Sequence, residues 1–350
     1  MFAAILVLAA SATWAADSAA PSNSKEKDSS PWLGMPTISS DPKLGTSLGV
    51  LGAYLHYFDE KSQSSMFGAT VQYTSTDSTV GGVFAKTSFG EDHHRLIAFA
   101  GGGVIKNNYD DFLGTGVPLK TTDDLHALAA RYLYRIYDDW FLGAQAVRAN
   151  YIITGETALD DLILDALGLT GFQSAGIGAV IMHDSRDNDN SPLRGWVLNL
   201  NNIAYRKSLG GSETFDVYRL DIKGFWEHCD GNVFAVRQSN HWSVDAPPSA
   251  YATVKLRGYK QGEYLGRNMS SIEGEERLRI TESWGATIFA GVACLYGDGN
   301  DCSDGKNRYP AFGAGLQYII KPKERMLANL EYAAGKADNY GIYLKFGYGF

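Results

Sequence analysis

The chain ends Tyr340-Gly341-Ile342-Tyr343-Leu344-Lys345-Phe346-Gly347-Tyr348-Gly349-Phe350. Every second residue, from Tyr340 through Ile342, Leu344, Phe346 and Tyr348 to Phe350, is apolar or aromatic. Gly341, Tyr343, Lys345, Gly347 and Gly349 fill the places between. Strand side chains alternate faces, so this stretch has one fatty face and one small or polar face. An edge strand of a soluble sandwich would alternate too, but length and place argue against it. The run matches the roughly 9–11 residues of a strand crossing a bilayer at a tilt, and its aromatics gather toward one interface. The pattern predicts the terminal strand of a transmembrane antiparallel β-barrel, with Phe346, Tyr348 and Phe350 as its assembly signal.

The same alternation recurs upstream. Candidate strands fall near 33–40, 46–58, 65–76, 79–89, 93–106, 124–138, 140–154, 174–187, 194–207, 214–227, 232–243, 270–281, 284–296, 310–320, 325–335 and 340–350. That is about 16, an even number as in single-chain bacterial barrels. In three of them the second face is charged: Arg131 and Arg135; Arg219, Asp221 and Lys223; Glu273, Glu275, Arg277 and Arg279. Charges are tolerated there only if that face lines a polar lumen while the other meets lipid. Connections alternate as well. Asp138-Asp139 and Cys229-Asp230-Gly231-Asn232 read as tight turns, whereas 107–123, 155–173, 244–269 and 297–309 are long loops. Short turns on one side and long loops on the other are the periplasm-versus-outside asymmetry of outer-membrane barrels. One long loop carries a helix signal at 158–167: Thr157 and Asp160 make a cap, and Leu159, Leu162, Ile163 and Ala166 follow at helical spacing. A helix there would pack over the barrel mouth.

The 350 residues are 45% hydrophobic, with 39 Gly, 20 Tyr and 16 Phe, which suits a meander of strands better than a helical protein. The net charge of −8 with no basic cluster excludes nucleic acid as a partner class. Phe2–Ala10 is an apolar run followed by small residues, a secretory signal over 1–16 despite the absence of Lys or Arg before Lys25. Residues 17–32 are polar and read as a disordered periplasmic linker, leaving 33–350 for the barrel. Of Cys229, Cys294 and Cys302, export allows Cys294 to pair with Cys302 and leave Cys229 odd, or all three to stay free. Gly45-Thr46-Ser47-Leu48-Gly49 matches a nucleophile-elbow spelling but continues as a strand, where that chemistry needs a helix. No nucleophile–base set and no metal-ligand spacing appears, so the chain reads as a non-enzyme without cofactor or metal.

The loop before the strand at 270–281 contains Leu256-Arg257-Gly258-Tyr259, and that strand contains Glu275-Glu276-Arg277. An arginine beside a lumen face bearing Glu273 and Glu275 invites a charge-assisted bond that tucks the loop inside. These residues resemble the inward loop of the BamA/TamA superfamily, also called the bacterial surface antigen family. A second stretch agrees: Asp184, Arg186, Asp187, Pro192 and Gly195 are similar to the family's D-x-R-D…P-x-x-G periplasmic turn. A third, Pro36, Asp41-Pro42, Gly45 and Gly49, resembles its first hairpin. The resemblance covers roughly 33–350. It implies an outer-membrane barrel of a Gram-negative bacterium, set in lipid and lipopolysaccharide, that assists insertion or translocation of client outer-membrane or secreted proteins. A separate periplasmic partner is then expected, because the stretch before the first strand is too short for a periplasmic transport-associated domain. The rival expectation is a passive channel or a structural surface barrel. Where the family sets an acid facing the loop arginine, in Phe-x-Asp-x-Gly, this chain has Phe289-Ala290-Gly291. Glu273 or Glu275 must then hold Arg257, with Arg277 beside them.

Overall fold

The structure, a computed structural model, describes residues 31–41, 45–109, 112–114, 118–188, 190–321, 325–337 and 339–346. Sixteen strands close into one antiparallel barrel. They are β1 (Trp32–Asp41), β2 (Gly45–His56), β3 (Ser65–Thr74), β4 (Thr79–Phe89), β5 (His94–Tyr109), β6 (Leu119–Tyr137), β7 (Trp140–Gly155), β8 (Gly171–Asp184), β9 (Gly195–Tyr205), β10 (Phe215–Cys229), β11 (Asn232–Val244), β14 (Asn268–Arg279), β15 (Trp284–Tyr296), β16 (Arg308–Lys321), β17 (Met326–Ala334) and β18 (Tyr340–Phe346). Two short strands, β12 (Ala252–Thr253) and β13 (Leu265–Gly266), pair with each other inside the loop between β11 and β14. Among the described residues no helix is long and apolar enough to cross a membrane.

Each strand joins its sequence neighbour, and β18 returns to β1. Period-2 patterning makes this wall: a slip of one residue would turn the charged face to lipid. Leu128, Ile136, Leu200, Ile272, Leu316 and Leu330 are exposed on the outside. Arg131, Arg219, Glu273 and Glu275 alternate with such residues and face the lumen. Aromatics gather at the turn end, where Trp140 and Trp196 flank His183, and the Trp284 ring meets Tyr318 at a tilt with centroids 4.9 Å apart. These are the amphipathic anchors of a membrane interface. We expect Leu316→Arg, in the middle of β16, to cost about 2–4 kcal/mol. Lost heat-modifiable gel mobility and a lower urea midpoint would report it; full tolerance would mean that Leu316 does not meet lipid.

The long loops all leave one end, as expected, but they are shorter than the sequence suggests. β5 and β6 continue beyond the expected strand ends, and their pairing reaches Tyr109 opposite Leu119. Polar lumen-facing residues satisfy one another there. Asn107 Nδ2 donates to Thr121 Oγ1 at 2.9 Å, and Thr121 Oγ1 donates to Asp123 Oδ1 at 2.9 Å. The helix, α1, runs Ala158–Ala166, with Thr157 and Asp160 forming a full capping box. Its Leu164 packs with Tyr109, Phe112, Leu119, Ile153 and Leu169 over the mouth. Cys294 and Cys302 are bonded and Cys229 is free. Arg279 is exposed beside the 280–283 turn rather than in the lumen, its Nε donating to Thr281 O at 3.4 Å; the strand ends there. The expected signal at 1–16 and residues 17–30 of the linker lie outside the described residues, as do Tyr348 and Phe350. Trp32, placed in that linker by the sequence reading, opens β1 instead, because it pairs with Tyr54. Phe346 closes β18.

Candidate functional site

The connection from β11 to β14 folds back into the barrel. The β12–β13 pair pinches its base, and Thr253 Oγ1 accepts the Gly262 N–H at 2.9 Å. Its tip, Leu256-Arg257-Gly258-Tyr259, spans the lumen. The Arg257 guanidinium sits between three carboxylates: Nη2 lies 2.8 Å from Glu273 Oε1, and Nη1 lies 2.8 Å from Glu275 Oε2 and 3.3 Å from Glu331 Oε2. Its Cζ is 3.3 Å from the centre of the Phe289 ring. All four polar side chains are nearly sealed from solvent, so ion pairing, planar hydrogen bonding and cation–π contact act together in a low dielectric.

Glu331 on β17 escapes the sequence reading, which seeks partners on β14 alone. Its signal is a single carboxylate within an otherwise uncharged strand, Met326–Ala334. Gly291, standing where an acid was expected, is opposite Glu273 in the ladder. A Cβ there would lie 3.1 Å from the Cβ of Glu273, so the glycine gives that carboxylate room. Phe289 supplies the ring face instead.

Gly258 has φ +92, and a Cβ on it would approach the backbone of Ala333 and Ala334 at 3.2–3.3 Å. Only glycine lets the tip lie this close to β17. The Gly258 N–H donates to Tyr343 Oη on β18 at 3.0 Å. Tyr259 Oη donates to Pro310 O at 2.5 Å and accepts the Lys336 N–H at 2.8 Å. Burial pushes its hydroxyl up to about 12, so it stays protonated and able to donate. The tip is thus fastened to β14, β16, β17 and β18.

The D-x-R-D turn joins β8 to β9 at the opposite end and also reaches inward. Arg277 links it to the loop site: Nε lies 3.1 Å from Glu275 Oε1, and Nη1 donates to Pro192 O at 3.0 Å. Glu275 therefore stands between the loop arginine and the arginine that holds the turn. Leu193 packs on Phe225, Val233 and Ala235. Arg186 pairs with Asp184 at 2.7 Å. Gly195, at φ +100, brings its Cα so near Ser185 O that a Cβ would lie 2.3 Å from it. Asp187 Oδ1 accepts from Leu193 N and Arg194 N, and its Oδ2 lies 2.6 Å from Arg325 Nη1.

Burial alone would raise the Asp187 carboxyl, but Arg325 and the two amides hold it below its ordinary value of 3.8. A depressed carboxylate stabilises fully above its unfolded pKa and loses that contribution as pH falls through the folded one. Pepsin cleavage within 185–194 is therefore expected to rise as pH drops below 3.8, and Asp187→Asn is expected to open the turn already at about pH 4. Unchanged cleavage in the variant would mean that Asp187 does not hold the turn.

At the wall's closing point, β1 and β18 share two partner pairs among the described residues, Ser39 with Tyr343 and Ser40 with Ile342. β17 and β18 share seven, and β1 and β2 share ten. One of the two β18 residues in these pairs, Tyr343, is the residue that receives the loop tip.

A closed wall of sixteen antiparallel strands, with a loop folded into it and joined to the closing strand, can be compared with known proteins. No protein-family profile and no curated protein matches the chain. Solved structures do. BamA from Haemophilus ducreyi lacking POTRA domains 1–3 aligns over 99% of this chain and 77% of its own length, with TM-score 0.58 and 12% identity. CdiB from Escherichia coli aligns over 96% and 67%, with TM-score 0.64 and 11% identity. The chain has the barrel fold of BamA and CdiB. CdiB from Acinetobacter baumannii agrees at TM-score 0.60 and 9% identity; the chain covers 90% of itself and spans 59% of that protein. At these identities the BamA/TamA-type likeness is one of fold.

Proposed function

We propose that this barrel assists the insertion or translocation of other proteins at the outer membrane of a Gram-negative bacterium. The observation that carries the reading is the link between loop and seam. Tyr343 pairs through its backbone with Ser39 across the seam and receives the Gly258 N–H with its hydroxyl. A sheet edge released at the seam offers unpaired N–H and C=O groups that a client strand can join. Such a barrel needs no catalytic group, cofactor or metal. The clients are outer-membrane or secreted proteins, and a separate periplasmic protein would deliver them.

The passive-channel reading fits less well, because the inward loop and α1 fill the mouth. A quantitative outer-membrane proteome of a deletion strain separates the two. Particular barrels or surface proteins are expected to fall while their transcripts hold. An otherwise unchanged membrane, together with steady bilayer conductance by the purified chain, would replace the assembly reading by the channel one.

A further inference from the structure

The turn end of the barrel carries a cleft that the inward loop does not reach. β9 and β10 run side by side there, with Gly224 opposite Trp196 and Phe225 opposite Gly195. Trp196 and Trp226 are both exposed at this end, where indole rings sit level with lipid headgroups. Each ring is held by its neighbours. The His183 ring lies 4.1 Å from that of Trp196, with Trp140 on its other side. Trp226 meets Phe234 with ring centres 6.3 Å apart and lies over Gly224, where a Cβ would collide with its ring. The two indoles, Phe225, Arg194 and Glu227 line a cleft of about 360 Å³. Small-molecule sites have volumes of roughly 300–1,000 Å³. Arg194 and Glu227 are exposed, and among the described residues they pair neither with each other nor with another charge. Further from the turn, the same two strands set Leu198 opposite Ile222 and Leu200 opposite Leu220, an apolar track toward the middle of the membrane.

We propose that this cleft binds the headgroup of a zwitterionic phospholipid of the periplasmic leaflet, of the phosphatidylethanolamine class. One cation and one carboxylate, both without a protein partner and both in one cleft, match a headgroup that carries both charges. The Arg194 guanidinium takes the phosphate through its paired N–H donors. The ammonium lies between the Glu227 carboxylate and an indole face. The acyl chains follow the leucine and isoleucine track. An anionic lipid has no ammonium to offer Glu227 and brings a like charge to it instead. β9 and β10 lie about half-way round the ring from the β1–β18 seam. A lipid bound there anchors the wall opposite the seam, in an insertase and in a channel alike.

The test uses the full chain, stripped of lipid in detergent micelles and titrated with dioleoylphosphatidylethanolamine or dioleoylphosphatidylglycerol. Native mass spectrometry counts the bound lipid, and heat-modifiable gel mobility confirms that each variant is folded. The ethanolamine lipid is expected to bind about tenfold more tightly than the glycerol lipid. Arg194→Gln and Glu227→Gln are each expected to weaken it about tenfold, the loss of one charge-assisted bond. Glu227→Gln should also narrow the preference between the two lipids. Arg279→Gln, which removes an exposed arginine at another turn of the same end, should bind as the parent does. Soluble glycerophosphoethanolamine, which has no acyl chain, should bind far more weakly than the lipid. Equal affinity for the two lipids would overturn the proposal, as would an equal loss in Arg194→Gln and Arg279→Gln. Glycerophosphoethanolamine binding as tightly as the lipid would overturn a membrane ligand in favour of a soluble one.

Discussion

A barrel carrying Ser40→Cys and Ile342→Cys on a Cys229→Ser background is expected to lose client insertion more than tenfold when oxidised, and to recover it on reduction. Ser40 and Ile342 are direct partners across the seam. Antiparallel partners have Cα atoms roughly 4.5–5.5 Å apart, within disulfide reach. The expectation rests on the seam's link to the loop: Tyr343, paired with Ser39 across the seam, also receives the Gly258 N–H of the inward loop. A client strand then completes the edge that opening exposes. Reductant also opens Cys294–Cys302, so the Cys229→Ser parent is carried through the same steps. Insertion at the parent's rate by fully cross-linked barrel would show that clients do not enter at this seam.

Arg257→Ala is expected to leave the barrel closed and release its inward loop, at a cost of about 3–5 kcal/mol. The arginine neutralises Glu273, Glu275 and Glu331 and lies on Phe289; its removal leaves three sealed carboxylates crowded together. That is the situation in which breaking a buried pair costs most. The loss should appear as a lower urea midpoint with intact strand circular dichroism, and as new protease cuts within 250–267. Arg257→Lys should recover only part, since an ammonium cannot face two carboxylates in one plane and stack on a ring as well. Glu331→Gln should be milder, because it removes one acid from an excess. An unaltered protease pattern in Arg257→Ala would show that the arginine does not hold the loop.

Much of this architecture is written in local order. Tyr340 to Phe350 declare their two faces without reference to the rest of the chain. So do Leu128 to Ile136 around Arg131 and Arg135, because the pleat makes every second residue share an environment. Asp138-Asp139 and Asp230-Gly231 mark tight turns through backbone preference alone. Thr157 and Asp160 mark α1 because a cap is a contact within four residues. The loop and turn motifs are visible too, since Gly258 and Gly195 occupy conformations that other residues seldom adopt.

What the chain order does not disclose is which distant faces meet. Glu331 lies 74 positions from Arg257, and closure of the barrel is what brings β17 beside the loop tip. Gly291 looks like a lost acid until the register shows it making room for Glu273. The length of the β5–β6 ribbon follows from a polar ladder across two strands that neither strand displays alone. Pairing of Cys294 with Cys302, left open by spacing, is settled by the fold of one loop. The sequence by itself determined strand, face and turn, because those depend on neighbours along the chain. The closed ring settled the partners of Arg257 and the meeting of the loop tip with Tyr343 beside the β1–β18 seam, because both depend on which strands the barrel brings together.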